Sequence, residues 1–122
     1  MSTDIASFLE ARYGTTPAQP AAPAAAIPRN TILHGDCLDV LPRLPAASMD
    51  FVLTDPPYIA RYVSRDGRRV PNDDNDAWLK PAFAEIYRVL ARDRLAVSFY
   101  GWPHADKFLA AWRAAGCAGV VP

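Results

Sequence analysis

The spacing of hydrophobic residues divides the chain into three parts. Residues 1–14 have apolar side chains at helical spacing and end on a glycine, which predicts a short N-terminal helix. Residues 15–28 are rich in Ala and Pro and offer few side chains that can pack, which predicts a linker. From residue 29 onward, short apolar runs alternate with helical patterns, so the folded domain is expected over residues 29–122.

The apolar runs of this domain predict an α/β fold. Short runs typical of buried strands occur at residues 31–34, 51–54, 95–100 and 119–121. Amphipathic patterns predict helices between them, at residues 37–44, 76–91 and 103–115. Strands that alternate with helices in this way are typical of a parallel sheet with helices packed on it.

Composition and charge narrow the class of protein. The hydrophobic content of 51% is enough for a packed core. Lys and Arg balance Asp and Glu at 13 each, so a nucleic-acid partner would have to be recognised through a local patch rather than through an overall positive field. No apolar run approaches the roughly 20 residues that a membrane-spanning helix needs, and no association with a membrane is expected.

The cysteines and the N-terminus indicate the compartment. Cys37 and Cys117 lie far apart and follow no metal-ligand spacing, which favours buried thiols in a reducing environment and predicts no metal site. The first residues include Asp4 and Glu10 rather than a basic region followed by an apolar one, so no signal peptide is expected. The sequence therefore predicts a cytoplasmic protein.

The residues of greatest chemical interest follow the second predicted strand. Asp55-Pro56-Pro57-Tyr58 comes where this strand must leave the sheet, because two consecutive prolines permit neither a helix nor continued strand pairing. Ligands of open α/β sheets bind outside the carboxyl ends of the strands, so Asp55 is well placed for chemistry. The alternative is an ordinary Asp-Pro turn.

This tetrapeptide carries the groups needed to methylate the exocyclic amino group of a base. The lone pair of that nitrogen is delocalised into the ring, which makes it a poor nucleophile. The Asp55 carboxylate and the Pro56 carbonyl could each accept one amino hydrogen and so localise the lone pair, while the Tyr58 ring stacks on the extruded base. The two prolines fix the backbone, which preorganises the set.

Segments within residues 32–116 resemble the DNA adenine or cytosine amino-methyltransferases that use S-adenosylmethionine. The resemblance is to the subgroup in which the catalytic motif precedes the cofactor-binding glycine motif. Its segments are Leu33-His34-Gly35-Asp36-Cys37-Leu38, Asp55-Pro56-Pro57-Tyr58 and Glu85-Ile86-Tyr87-Arg88-Val89-Leu90. It implies a partial doubly wound, Rossmann-like methyltransferase sheet, with DNA as partner and Asp55, Pro56, Pro57 and Tyr58 as catalytic residues.

The resemblance also implies a role for Asp36 and a target base. Asp36 would lie near the adenine of S-adenosylmethionine, whereas the residues alone equally allow a turn residue that caps the next helix. Asp at the first position of the motif favours adenine over cytosine as the target. Related enzymes that methylate RNA or a protein glutamine use a similar turn, but the glutamine enzymes typically have Asn where this chain has Asp55.

Charged residues dominate the segment that follows the motif. Its arginines, which could neutralise DNA phosphates or form internal ion pairs in a solvated loop, are Arg61, Arg65, Arg68 and Arg69. Its aspartates, Asp73, Asp74 and Asp76, are expected to be solvated or ion-paired rather than to bind metal, because methyl transfer needs no metal.

Two features that the resemblance implies are absent from the sequence. No glycine-rich turn follows an apolar strand, so the main cofactor loop is missing, and no target-recognition region can be located. In the sheet order 3-2-1-4-5, the runs at 31–34, 51–54 and 95–100 correspond to the third, fourth and fifth strands. The central strands would then be missing, which predicts unpaired strand edges and an exposed apolar face.

The sequence therefore predicts an N-terminal fragment, a truncated gene product or one half of a split enzyme. Such a chain should be poorly stable and inactive alone, and a C-terminal half or a second chain would complete its sheet. The remaining alternative is a non-catalytic nucleic-acid-binding module that has lost its cofactor half.

Overall fold

The computed structural model describes residues 29–122, and the predicted N-terminal helix and linker lie outside that range. The elements alternate along the chain: α1 (Cys37–Val40), β1 (Met49–Thr54), α2 (Leu79–Val89), β2 (Leu90–Ser98) and α3 (Ala105–Ala115). One 3₁₀ turn (Leu41–Arg43) continues α1 and another (Trp102–His104) precedes α3. The described chain is a mixed α/β fold, as the sequence predicts. None of its helices combines the length and apolarity needed to cross a bilayer.

β1 and β2 pair in parallel, and α2 lies between them in the chain. Their regular register joins Phe51 to Leu95 and Thr54 to Ser98. Upstream of that stretch β2 is irregular, and Asp93 has a left-handed backbone with φ 58°. A parallel pair joined through a helix is the arrangement that the sequence predicts for its second and third strands.

Two of the predicted strands do not form. Residues 31–34 and 119–121 pair with no strand in the described part of the chain. A strand exists only where a neighbour accepts and donates its hydrogen bonds, and the predicted sheet order places residues 31–34 beside strands that the sequence lacks. Without that neighbour Ile32 is 95% exposed.

The core lies between α2, α3 and one face of the strand pair. Leu79, Phe83 and Ile86 repeat at helical spacing and are buried against α3. The ring of Phe83 lies 6.0 Å from that of Phe108 and 4.3 Å from that of Trp112, measured between centroids. Val52 of β1 and Ala96 of β2 pack on this cluster, which ties the strands to the helices.

The opposite face of the strand pair is uncovered by residues 29–122. We call it the open sheet face, and its members with their exposed fractions are Phe51 (54%), Leu53 (61%), Leu95 (73%) and Val97 (43%). They form two cross-strand pairs, since Phe51 is opposite Leu95 and Leu53 is opposite Val97. The sequence predicts such an exposed apolar face.

Candidate active site

Asp55 lies at the point where β1 leaves the sheet. The carbonyl of Thr54 accepts a hydrogen bond of 3.0 Å from the backbone N–H of Phe99, so the two strands remain paired up to the motif. The following prolines end this pairing because they have no N–H to donate. Asp55 is therefore held at the carboxyl edge of the parallel pair, as the sequence predicts.

Asp55 and Tyr58 are joined by a hydrogen bond. The Tyr58 hydroxyl donates to Oδ1 of Asp55 at 2.6 Å. This bond raises the pKa of Tyr58, because the phenol proton is held by the carboxylate and a phenolate beside it would be disfavoured. Within residues 29–122 no protein donor bonds to Oδ2 of Asp55 or to the Pro56 carbonyl, and Asp55 is exposed at the strand exit.

Gly101, which follows β2, packs directly against Tyr58. A Cβ placed on Gly101 would lie 2.9 Å from the Tyr58 carbonyl oxygen and 3.0 Å from the Tyr58 Cβ. The exits of β1 and β2 thus meet at one edge of the sheet. Sequence reasoning missed Gly101, since nothing around it marks a close contact with a residue of another element.

A cavity of about 410 Å³ opens beside the motif. Its lining brings Asp36 and Asp55 together with Thr54 and Asn72, and apolar side chains such as Phe83 form the rest of the wall. The size lies within the range of small-molecule sites. Two aspartates that the sequence predicts as site residues therefore line one cavity.

Asp36 caps α1. Its Oδ1 accepts a hydrogen bond of 2.8 Å from the N–H of Leu38, and its carbonyl accepts one of 3.0 Å from Asp39. These contacts agree with the predicted alternative in which Asp36 is a turn residue that caps the next helix. Because Asp36 also lines the cavity, contact with a cofactor stays a prediction beside that structural role.

The four arginines lie on the exposed loop that follows the motif. An antiparallel bridge between Val63 and Arg69 turns part of this loop into a small hairpin. Arg68 pairs with Asp66 at 2.6 Å, whereas Arg61 and Arg65 form no ion pair within the described range. All four side chains are exposed, and none of them lines the cavity.

Asp73 is a buried acidic residue near the motif whose burial the sequence did not reveal. Its exposed fraction is 3%, and it accepts hydrogen bonds from the N–H groups of Ala60 (Oδ1, 3.0 Å) and Tyr62 (Oδ2, 2.7 Å). These bonds, led by that of Tyr62, hold the pKa of Asp73 below its usual value although burial acts the other way. The prediction of a solvated or ion-paired role is wrong for Asp73.

The neighbouring aspartates behave as predicted. Asp76 pairs with Lys107 at 2.7 Å, which lowers the pKa of Asp76, and Asp74 is exposed and accepts a hydrogen bond from Asn75. Nothing in the spacing of the three aspartates distinguishes the one that is buried. In the part of the chain that is described, no group of three or more His, Cys, Asp or Glu is arranged to hold a metal ion.

Fold and site together define an α/β protein with a ligand-sized cavity at its strand exits. The chain is similar to the curated protein named "Putative methylase YubD" from Escherichia coli (strain K12), with 50% identity over 84 residues. This match covers 69% of the chain and 37% of the relative, so the chain spans little more than a third of the relative's length. Neither a known protein family nor a solved structure gives a match.

Proposed function

We propose that the chain carries the base-binding half of an S-adenosylmethionine-dependent DNA adenine methyltransferase. The observation that carries the proposal is the Tyr58–Asp55 hydrogen bond at the exit of β1, which leaves Oδ2 of Asp55 and the carbonyl of Pro56 without a protein donor. The similarity to a protein named a methylase supports the reaction class. The DNA substrate and the adenine target are drawn from the resemblance of the motif.

The two acceptors suit an exocyclic amino group because that group has two hydrogens. When Asp55 and Pro56 each accept one hydrogen, the lone pair of the nitrogen is withdrawn from the ring and becomes a better nucleophile. Asp55 would also accept the proton that the nitrogen loses after it bonds to the methyl carbon. Both groups are fixed by the preceding strand and by the proline pair, so little ordering is left for the reaction itself.

Tyr58 has two tasks in this arrangement. Its hydroxyl bonds to one oxygen of Asp55, which orients the carboxylate and leaves the other oxygen for the base. Its ring offers an aromatic face beside the acceptors, as stacking of an extruded base requires. The contact with Gly101 supports the backbone of Tyr58 from the side of β2.

The cavity beside Asp55 is where the expected methyl donor would bind. Asp36 and Asp55 are among its lining residues and would supply negative charge for a cationic ligand, and apolar residues such as Val52 and Trp78 would contact an aromatic ring. S-adenosylmethionine supplies an electrophilic methyl group when bound. Asp36 would contribute to its binding, and the missing glycine-rich loop would come from a part of the whole protein outside this chain.

The exposed arginines would contact DNA phosphates. Arg61, Arg65 and Arg69 lie on the loop directly after the motif and form no ion pair within residues 29–122. Each phosphate that such a side chain neutralises strengthens binding and makes binding more sensitive to salt. These contacts would position the DNA but would not read its sequence.

The proposal can be tested with a chimera in which this chain replaces the matching 84 residues of the Escherichia coli relative. The chimera is incubated with methyl-labelled S-adenosylmethionine and with DNA, RNA or protein, and the modified nucleosides are identified by mass spectrometry. We expect label on the adenine amino group of DNA. Asp55→Asn should lower the rate by about 100-fold or more because the carboxylate is lost. Asp93→Asn, at a side chain that is 91% exposed, should leave the rate unchanged.

Other outcomes would redirect the proposal. Label on cytosine or RNA would keep the reaction and change the substrate. DNA binding without transfer, by a chimera that also binds S-adenosylmethionine, would support a non-catalytic nucleic-acid-binding module. Transfer that survives Asp55→Asn unchanged would show that the motif is not the site.

A further inference from the structure

Asp73 accepts hydrogen bonds from the backbone of residues 60–62, which follow the motif. Its two carboxylate oxygens accept the N–H groups of Ala60 and Tyr62, and its carbonyl accepts the N–H of Arg61 at 3.0 Å. Three consecutive N–H groups therefore end on one residue. Asp73 is buried, whereas Asp74 beside it is exposed. The proposed reaction makes no direct use of this buried acid.

The backbone that Asp73 holds is strained. Ile59 and Arg61 both have left-handed conformations, with φ 60° and φ 55°. That region is unfavourable for residues with a side chain and most of all for a β-branched residue such as Ile59. Strain of this kind persists only where the surroundings fix the conformation. Here the surroundings are the core, which buries the Ile59 side chain, and the carboxylate of Asp73.

This strained turn is joined directly to the catalytic motif. Tyr58 precedes Ile59, so the peptide between them sets the direction in which the Tyr58 backbone enters the turn. The same Tyr58 donates to Asp55 and is in close contact with Gly101. A change in the turn would therefore be transmitted to the Tyr58 hydroxyl and to the carboxylate it orients.

We propose that Asp73 is a positioning residue of the active site, which fixes the turn after Tyr58 and thereby holds the Tyr58 hydroxyl on Asp55. Its importance for methyl transfer rests on the function proposed above. The positioning itself depends only on the contacts of residues 58–62 with Asp73, and it is measurable without a substrate.

Asp73→Asn is the sharpest substitution because it keeps the size of the side chain. An amide has one acceptor oxygen, so its NH₂ group must face the N–H of Ala60 or of Tyr62, and one hydrogen bond is lost. Asp74→Asn is the matched control, since Asp74 is adjacent and exposed.

The experiment is NMR of the 122-residue chain with labelled tyrosine rings, the Tyr58 signal being assigned with Tyr58→Phe. In the unsubstituted chain the raised pKa of Tyr58 reports its bond to Asp55. In Asp73→Asn we expect this pKa to fall toward the usual value of about 10. The amides of Ala60 and Tyr62 should exchange about tenfold faster or more. If stability falls but the Tyr58 titration does not move, Asp73 is only structural and the proposal is wrong.

A second pair of variants covers the case in which Asp73→Asn fails to fold. Arg61→Gly relieves the strain at an exposed position because glycine adopts a left-handed φ without a penalty, whereas Arg61→Ala removes the same side chain and keeps the strain. Combined with Asp73→Asn, Arg61→Gly should restore folding and the Tyr58 titration better than Arg61→Ala does. Equal behaviour of the two double variants would overturn the proposal.

These outcomes are independent of the chimera assay. If the chimera transfers no methyl group, the Tyr58 titration can still show that Asp73 positions the turn. If the titration fails, methyl transfer by Asp55 is untouched.

Discussion

Gly101 and Tyr58 approach so closely that no side chain fits between them. A Cβ on Gly101 would lie 2.9 Å from the Tyr58 carbonyl oxygen and 3.0 Å from the Tyr58 Cβ. The φ of Gly101, −77°, is accessible to any residue. Glycine is therefore needed at this position for space rather than for backbone freedom.

Gly101→Ala should displace Tyr58, because the atoms that it would meet belong to the backbone and to Cβ and cannot rotate away. We expect a loss of unfolding free energy of about 1–3 kcal/mol, as for overpacked sites, measured by urea denaturation. Ala114→Ser also adds one heavy atom, on an exposed position of α3, and should change stability by less than about 0.5 kcal/mol. A Gly101→Ala chain as stable as the unsubstituted one would contradict the close contact.

Acid should destabilise the chain in part through Asp73. Its pKa is lowered in the folded state, chiefly by the Tyr62 N–H, and lies below the unfolded value of about 3.9. The resulting stabilisation is fully present above the unfolded pKa and is lost as the pH falls through the lower, folded one. Unfolding free energies measured in urea between pH 7 and pH 2 should therefore drop below about pH 4.

Asp73→Asn should be less stable than the unsubstituted chain at neutral pH and should lose less stability on acidification. The slope will not vanish, because the pKa of Asp66 and that of Asp76 are also lowered. If both chains show the same pH dependence, the carboxylate of Asp73 does not contribute to it.

Two substitutions separate the roles of Asp36. Asp36→Ala removes the cap of α1 and should cost about 1 kcal/mol, whereas Asp36→Asn keeps a capping oxygen and should cost little. If Asp36 also binds the cofactor, the chimera with Asp36→Asn should bind S-adenosylmethionine more weakly in calorimetry while its melting temperature is unchanged. If the affinity for S-adenosylmethionine is unchanged, Asp36 serves only as the cap of α1.

The open sheet face should make the isolated chain self-associate. Contiguous exposed apolar side chains drive association, and Leu95 is the most exposed member of this face at 73%. Leu95→Lys should lower the weight-average mass in sedimentation equilibrium without loss of stability, because the side chain is not in the core. Ala110→Lys, on an exposed position of α3, serves as the control. A strictly monomeric unsubstituted chain would contradict this prediction.

The sequence predicts the elements whose burial follows from their own periodicity. Leu79, Phe83 and Ile86 recur at helical spacing, and the structure buries all three in α2. The helix predicted over residues 103–115 ends in the structure at Ala115, and Gly116 after it has the left-handed φ of 106° that is typical of a helix end. The runs at 31–34 and 119–121 could not be assigned in this way, since a strand depends on a neighbour and not on its own residues alone.

In the candidate site, too, contacts within one turn could be predicted from the sequence and contacts between distant residues could not. The proximity of Asp55 and Tyr58 was predictable, because the residues lie within one proline-fixed turn. Gly101 and Asp73 reach this turn from other parts of the chain. The burial of Asp73 further depends on a left-handed Ile59, a conformation so rare for that residue type that no sequence pattern indicates it.

The bonds to Asp73 have a consequence for how this protein can vary. They join residues 60–62 to Asp73 and so close the loop over residues 60–73 at its base. The hairpin at Val63 and Arg69 lies within this closed loop, away from the bonds that anchor it. A change in the length or charge of that hairpin should therefore leave the position of Tyr58 and Asp55 unaltered.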